Sequence, residues 1–196
     1  MTETIGADAS RFQRAIDGLA DAQIRPEIQL NEIAAPHSLA PHAFALAADV
    51  RPINHTEDSE WGTGRLIVLY NPEEPAEWAG PWRIICFAQG PLEPEIGVEQ
   101  YVSDVAWAWL VDALDDRMAQ YHSPSGTATK ILSRGYGGLA DQGEGAQLEL
   151  RASWSPADDE LVTHVEAWAQ LLGLMAGMPP GTETVELLDA HRRPRD

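Results

Sequence analysis

The sequence predicts an α+β fold: a mostly antiparallel sheet of five to six strands carrying three amphipathic helices, in the order helix, four strands, helix, two strands, helix. Apolar and polar residues alternate over several short runs, the period of a half-buried strand. Three longer stretches repeat their apolar residues at helical spacing instead. Hairpin-like connections dominate, and no regular strand–helix–strand alternation asks for a parallel sheet.

The first helix is expected over residues 8–22, where Phe12, Ala15, Ile16 and Leu19 recur at helical spacing and Arg25-Pro26 closes the segment. Residues 27–33 alternate, with Ile28, Leu30 and Glu32 on one face. After a turn at 34–38, residues 43–50 form the next strand, with Phe44, Leu46 and Ala48 together. A polar, acidic loop fills 51–62. Residues 65–70 are continuously apolar, as in a central strand, and 82–89 pair with them across the breaker at 71–75.

Beyond Gly90-Pro91 and Pro94 a long helix is expected over 96–120. Residues 127–134 and 146–154 are the last two strands, joined by a glycine-rich loop at 135–145. The last helix has a start signal in Ser155 as N-cap and Pro156 at the first helical position. Asp158, Asp159 and Glu160 follow in its first turn, where the helix dipole favours negative charge. Its stripe is Leu161, Val165, Trp168, Leu172 and Met175, and Gly177 with Pro179-Pro180 stops it. One domain over 1–180 and a flexible tail over 181–196 are expected.

Two segments share a plan. Gly62-Thr63-Gly64 opens two strands and a helix carrying Ala106-Trp107-Ala108, while Gly126-Thr127-Ala128 opens two strands and a helix carrying Ala167-Trp168-Ala169. A duplication and convergence on a hairpin-plus-helix unit both account for this.

Successive residues turn about 100° around a helix axis. With Trp109 as reference, Val98, Tyr101, Val102, Val105, Ala106 and Ala113 fall together, the stripe expected to face the sheet. Trp107, Val111, Leu114 and Met118 fall opposite, so they are expected to meet another helix of the chain or another subunit. These four, with the loop tryptophans Trp61 and Trp78, are the candidate partner-binding residues, because aromatics and methionine suit contact surfaces.

The net charge of −18 comes from 31 acidic against 13 basic residues. Such a field repels phosphate backbones, so no nucleic-acid partner is expected, and Arg192-Arg193-Pro194-Arg195 reads as a solvated end. No apolar run approaches the ~20 residues of a membrane span. Residues 1–11 hold no apolar signal core, so the expected location is the cytoplasm, with no membrane partner. Cys86, the one cysteine, lies in the apolar run 84–88 and is expected to be a buried thiol.

Little in the sequence points to catalysis. Of His37, His42, His55, His122, His164 and His191, none pairs with another at metal-binding helical spacing, and no metal site is expected. His164, beside the last helix's stripe, reads as a core or boundary residue. The carboxylate clusters Asp112, Asp115, Asp116 and Glu57, Asp58, Glu60 read as solvated surface in so acidic a chain. Residues 135–141 lack the Lys-Ser/Thr ending of a phosphate loop and lead into a strand, so they read as a hairpin loop. No nucleophile elbow occurs. No catalytic residue and no cofactor are expected.

Several segments together carry a resemblance: 25–28, 40–50, Gly137-Gly138-Leu139-Ala140-Asp141, and Leu150-Arg151-Ala152-Ser153-Trp154-Ser155-Pro156. Over 12–180 the chain resembles the actinobacterial family labelled domain of unknown function 3000. That resemblance implies a bacterial source and no mechanism. The plan of elements is also similar to the type III secretion chaperone and its relatives, which pair through a middle helix or nearby strands and hold partner segments; it implies a dimer or a partner-holding surface. The expected function is a non-enzymatic, chaperone- or adaptor-like interaction scaffold binding another protein or itself. The alternative is a small-molecule binder or enzyme with a pocket between sheet and long helix.

Overall fold

A computed structural model describes residues 2–51 and 61–179. Six strands, β1 Ile28–Glu32, β2 His42–Val50, β3 Thr63–Tyr70, β4 Trp82–Leu92, β5 Tyr121–Arg134 and β6 Glu144–Pro156, form one sheet in the order β1-β2-β3-β4-β6-β5. Every neighbouring pair is antiparallel, as the patterning predicts. The helices are α1 Thr2–Asp17, the single turn α2 Pro94–Gly97, α3 Val102–Asp116 and α4 Leu161–Met175. A 3-10 turn, Gly18–Asp21, follows α1. His55, Glu57, Asp58, Glu60, His191 and residues 181–196 lie outside the described residues.

Strand alternation assigns the two faces. Leu66, Val68 and Tyr70 of β3, Ile84, Cys86 and Ala88 of β4, and Leu148, Leu150, Ala152 and Trp154 of β6 point to one side and form the core with the helices. Ile67, Ile85 and Phe87 point to the other and are half-buried.

Three expectations are corrected. The long helix is interrupted at residues 98–101 between α2 and α3. Gly97 is pressed onto the sheet, where a Cβ would lie 2.6 Å from Ala146 Cβ, which pins the chain before α3 begins. Only part of the expected core stripe is buried: Val98, Tyr101 and Val105 face solvent and Val102 and Trp109 are half-buried, while Ala106 and Ala113 are buried together with Leu110 and Leu114. The buried face lies between the two expected stripes, which are its shoulders. Finally, α4 starts at Leu161 rather than after Ser155. Ser155 and Pro156 still pair with His122 and Tyr121, and the Ala157 N–H donates to the Gln120 carbonyl at 2.8 Å, so the ladder outlasts the capping signal.

The repeated plan has a spatial counterpart. The units β3-β4-α3 and β5-β6-α4 meet with β4 beside β6, and each helix packs on the other unit's hairpin: α3 on β5 and β6, α4 on β4 and β3. Trp107 of α3 covers Gly126 of β5, where a Cβ would come within 2.7 Å of the indole; Trp168 of α4 covers Gly64 of β3, where a Cβ would come within 2.8 Å. Ala106 and Ala167, both fully buried, precede the two tryptophans. These pairs relate the units by an approximate two-fold axis near the β4–β6 pair Phe87–Arg151, where the Arg151 guanidinium lies 5.6 Å over the Phe87 ring.

Candidate functional site

The two halves are covered differently. The outer edge of β3 is paired with β2, and the N-terminal arm lies over the helix side of that half. Amphipathic α1 puts Phe12 between His42 and Trp82, with ring centroids 5.3 and 6.0 Å away. Tyr70 is thereby 1% exposed. Beside it, the Arg11 guanidinium donates to both Asp159 oxygens at 2.8–3.1 Å, and Trp82 Nε1–H donates to Asp159 at 2.8 Å. The Arg11 hydrogen bonds, against some desolvation, hold the Asp159 carboxyl below its ordinary range. Next along the arm, the Gln23 N–H donates to Glu166 on the flank of α4 at 2.6 Å.

The other half has only the single turn α2 in that place: Gly97 rests on Ala146, the counterpart of Trp82, and a Cβ there would lie 2.9 Å from the Leu132 side chain. No described strand pairs with the outer edge of β5. Leu132, at the place corresponding to Tyr70, is 57% exposed. Val105, corresponding to Glu166, is exposed too, and so are Ile96, Val98 and Tyr101 on the same side. Five apolar side chains thus face solvent around this short turn, where the first half carries α1 and a paired strand.

The β5 edge offers hydrogen bonds as well. The Gly135 N–H donates to the Gly143 carbonyl at 2.9 Å, which sets the ladder's phase. By alternation, the odd-numbered residues before Gly135 turn their backbone groups to β6, and Gly126, Ala128, Lys130, Leu132 and Arg134 turn theirs outward. Pro124 lies within the register shift between His122 and Ser125, a bulge position where a missing N–H is tolerated. The Lys130 amine donates to the Glu99 carbonyl at 2.8 Å, tying residues 98–101 to the edge.

A family model described as Protein of unknown function (DUF3000) matches residues 8–185. The chain belongs to this family. The DUF3000 match takes in the arm from residue 8 as well as both hairpin–helix units. No curated protein and no solved structure matches the chain.

Within this member of the DUF3000 family, the sequence-predicted contact residues are dispersed. Leu114 is 1% exposed and sits in the core, because it falls on the α3 side that packs on the molecule. Trp107 is half-buried over Gly126, and Val111 is half-buried beside it. Met118 is 79% exposed just past the end of α3, at φ 54°. Trp61 packs against the core from the start of β3, and Trp78 is half-buried in the β3–β4 loop. Sequence reasoning missed Leu132, Tyr101, Val98 and Val105 as surface residues. The signal that could have found them is the repeat, because only one unit is preceded by an arm.

The ionisable groups of the interior are sealed. Burial pushes the Cys86 thiol up to about 12. His164 is fully buried on α4; its Nδ1 accepts from Trp154 Nε1–H at 3.0 Å, which leaves the proton on Nε2. That Nε2 has no partner, and burial pushes the imidazole down to about 4, so it is neutral near pH 7. Asp112, Asp115 and Asp116 are all exposed, and the latter two accept from Tyr121 and Gln170. An open depression of about 460 Å³ beside β1 and β2 is lined by Glu32, Ile33, His37 and Phe44 among others.

Proposed function

We propose that this protein is a non-catalytic interaction domain, adaptor- or chaperone-like, that receives another protein on the open half built by β5 and α3, and that it works in the cytoplasm. One observation carries the reading. Leu132 is exposed at the place where Tyr70 is buried beneath the arm in the other half. Exposed apolar groups that cluster, rather than scatter, mark contact sites on folded proteins. The sealed histidine and thiol support structural roles for the groups that chemistry would otherwise draw on. No helix among the described residues is long and apolar enough to cross a membrane.

The test is affinity capture, from cells expressing the chain, with three baits: wild type, the double variant Leu132→Glu/Tyr101→Glu, and Met118→Glu. A partner retained by wild type and Met118→Glu and lost by the double variant is expected. A partner lost only by Met118→Glu moves the surface to the end of α3. A capture profile indifferent to all three overturns the reading.

A further inference from the structure

We infer that the open half takes an extended segment of a partner protein, aliphatic at alternate positions and net acidic, which adds to the sheet as a strand antiparallel to β5. The inference rests on the open half being an interaction surface. Its first support is the internal two-fold. On β3, the outer edge is filled by an antiparallel strand, β2, whose Phe44, Leu46 and Ala48 lie on the helix side beside Val68, Leu66 and Gly64. The corresponding places on β5 are Lys130, Ala128 and Gly126, with Leu132 next along the strand. An incoming strand there finds outward N–H and C=O groups from Gly126 to Arg134 and lays every second side chain on the apolar helix side, against Leu132 and the Trp107 shoulder. The register shift between His122 and Ser125, with Pro124 inside it, marks where the regular edge ends.

Charge selects the occupant. The chain has 31 acidic residues, yet none falls between Asp116 and Asp141, a stretch whose cations on β5 are Lys130 and Arg134, while Arg117 at the end of α3 is paired with Glu166 at 2.9 Å. Arg134 is paired with Glu144 at the far end, both well exposed, and the Lys130 amine is held by a carbonyl rather than a carboxylate. An acidic segment therefore meets cations at this edge and repulsion over most of the remaining surface. A second copy of β5 brings the same cations to its own edge, which disfavours self-pairing.

A display library of random twelve-residue peptides, panned on the purified full chain, tests this, with the most enriched peptide then synthesised and its binding followed by fluorescence anisotropy. Enriched peptides are expected to carry aliphatic or aromatic residues at every second position and a net negative charge. Binding should weaken as salt rises and fall at least tenfold in Ala128→Pro, which removes an outward N–H group, and in Lys130→Pro, which removes another together with the ammonium. Should either proline disturb the fold by circular dichroism, N-methylation of alternate peptide residues gives the same readout on the wild-type chain: one alternate set abolishes binding, the other does not. Apolar residues spaced by three and four, with binding lost in Leu132→Glu but indifferent to the prolines and to N-methylation, overturn strand addition and leave the open half as an interaction surface. No enrichment, or peptides indifferent to Leu132→Glu, overturns both. A chain that sediments as a dimer and becomes a monomer in Ala128→Pro makes the occupant a second copy and overturns the partner segment.

Discussion

The half built on β3 and α4 and the half built on β5 and α3 share an interior and differ in their cover. Each presses a tryptophan onto a strand glycine and buries the alanine before it. Outside that shared interior, one half is finished by α1, the 3-10 turn and β2, and the other stops at a bare edge. Exposed Leu132, Tyr101 and Val105 are therefore not signs of a loosely packed half; they lie on a tightly packed one that lacks an arm. The difference shows that the apolar surface of the open half is left by topology, at a place where the same fold holds a strand and a helix.

Several substitutions break or sharpen this contrast. The largest effect is expected at the shared tryptophans. Trp168→Ala, at a fully buried site, should cost about 3–5 kcal/mol in urea unfolding, and Trp107→Ala, half-buried, clearly less. Equal losses would mean that the open half is as enclosed as its twin.

Next is a pH effect confined to the covered half, since Ser103 stands on α3 where His164 stands on α4. The imidazole's ordinary value is 6.5 and its folded value about 4. Between these, the unfolded chain binds a proton that the folded chain refuses, so stability is full above pH 6.5 and declines as pH falls toward 4. At ~1.4 kcal/mol per pH unit the loss reaches at most about 3.5 kcal/mol. His164→Asn, which keeps an acceptor for Trp154, should flatten the decline relative to wild type when unfolding is measured across that window; a parallel decline in both proteins would remove His164 as its cause.

Smaller again is Phe12→Ala, expected to cost about 1–3 kcal/mol and to red-shift tryptophan fluorescence as the arm loosens from Trp82. The smallest effect belongs to the open half: Leu132→Ser and Tyr101→Ser should stay within about 0.5 kcal/mol of wild type, as surface changes do, against several for Tyr70→Ala. A large loss at Leu132 would show that an unseen contact already covers it.

The strands were legible because alternation is a local signal, and Phe44, Leu46 and Ala48 share a face as their spacing predicts. The α4 boundary was not. Ser155 carries a capping signature, but cross-strand pairing with His122 and its acceptance of a hydrogen bond from Arg83 outweigh it. On α3, residue spacing separates Val105 from Leu114 yet says nothing about which side meets the sheet; that depends on α3 crossing to the other unit's hairpin, a long-range event, and Val98 and Tyr101 lie in the break before the helix. The open half was half-legible through the repeated glycines and tryptophans, whose partners lie across the two units rather than within each.

The most direct measurement is site-specific photocrosslinking in cells, with benzoyl-phenylalanine at position 132, at position 101 and, as a control, at position 118. Adducts with the same partner from 132 and 101 and none from 118 are expected if the open half holds a protein where its twin holds the arm. A chain that yields no adduct from 132, or yields one only from 118, contradicts that placement.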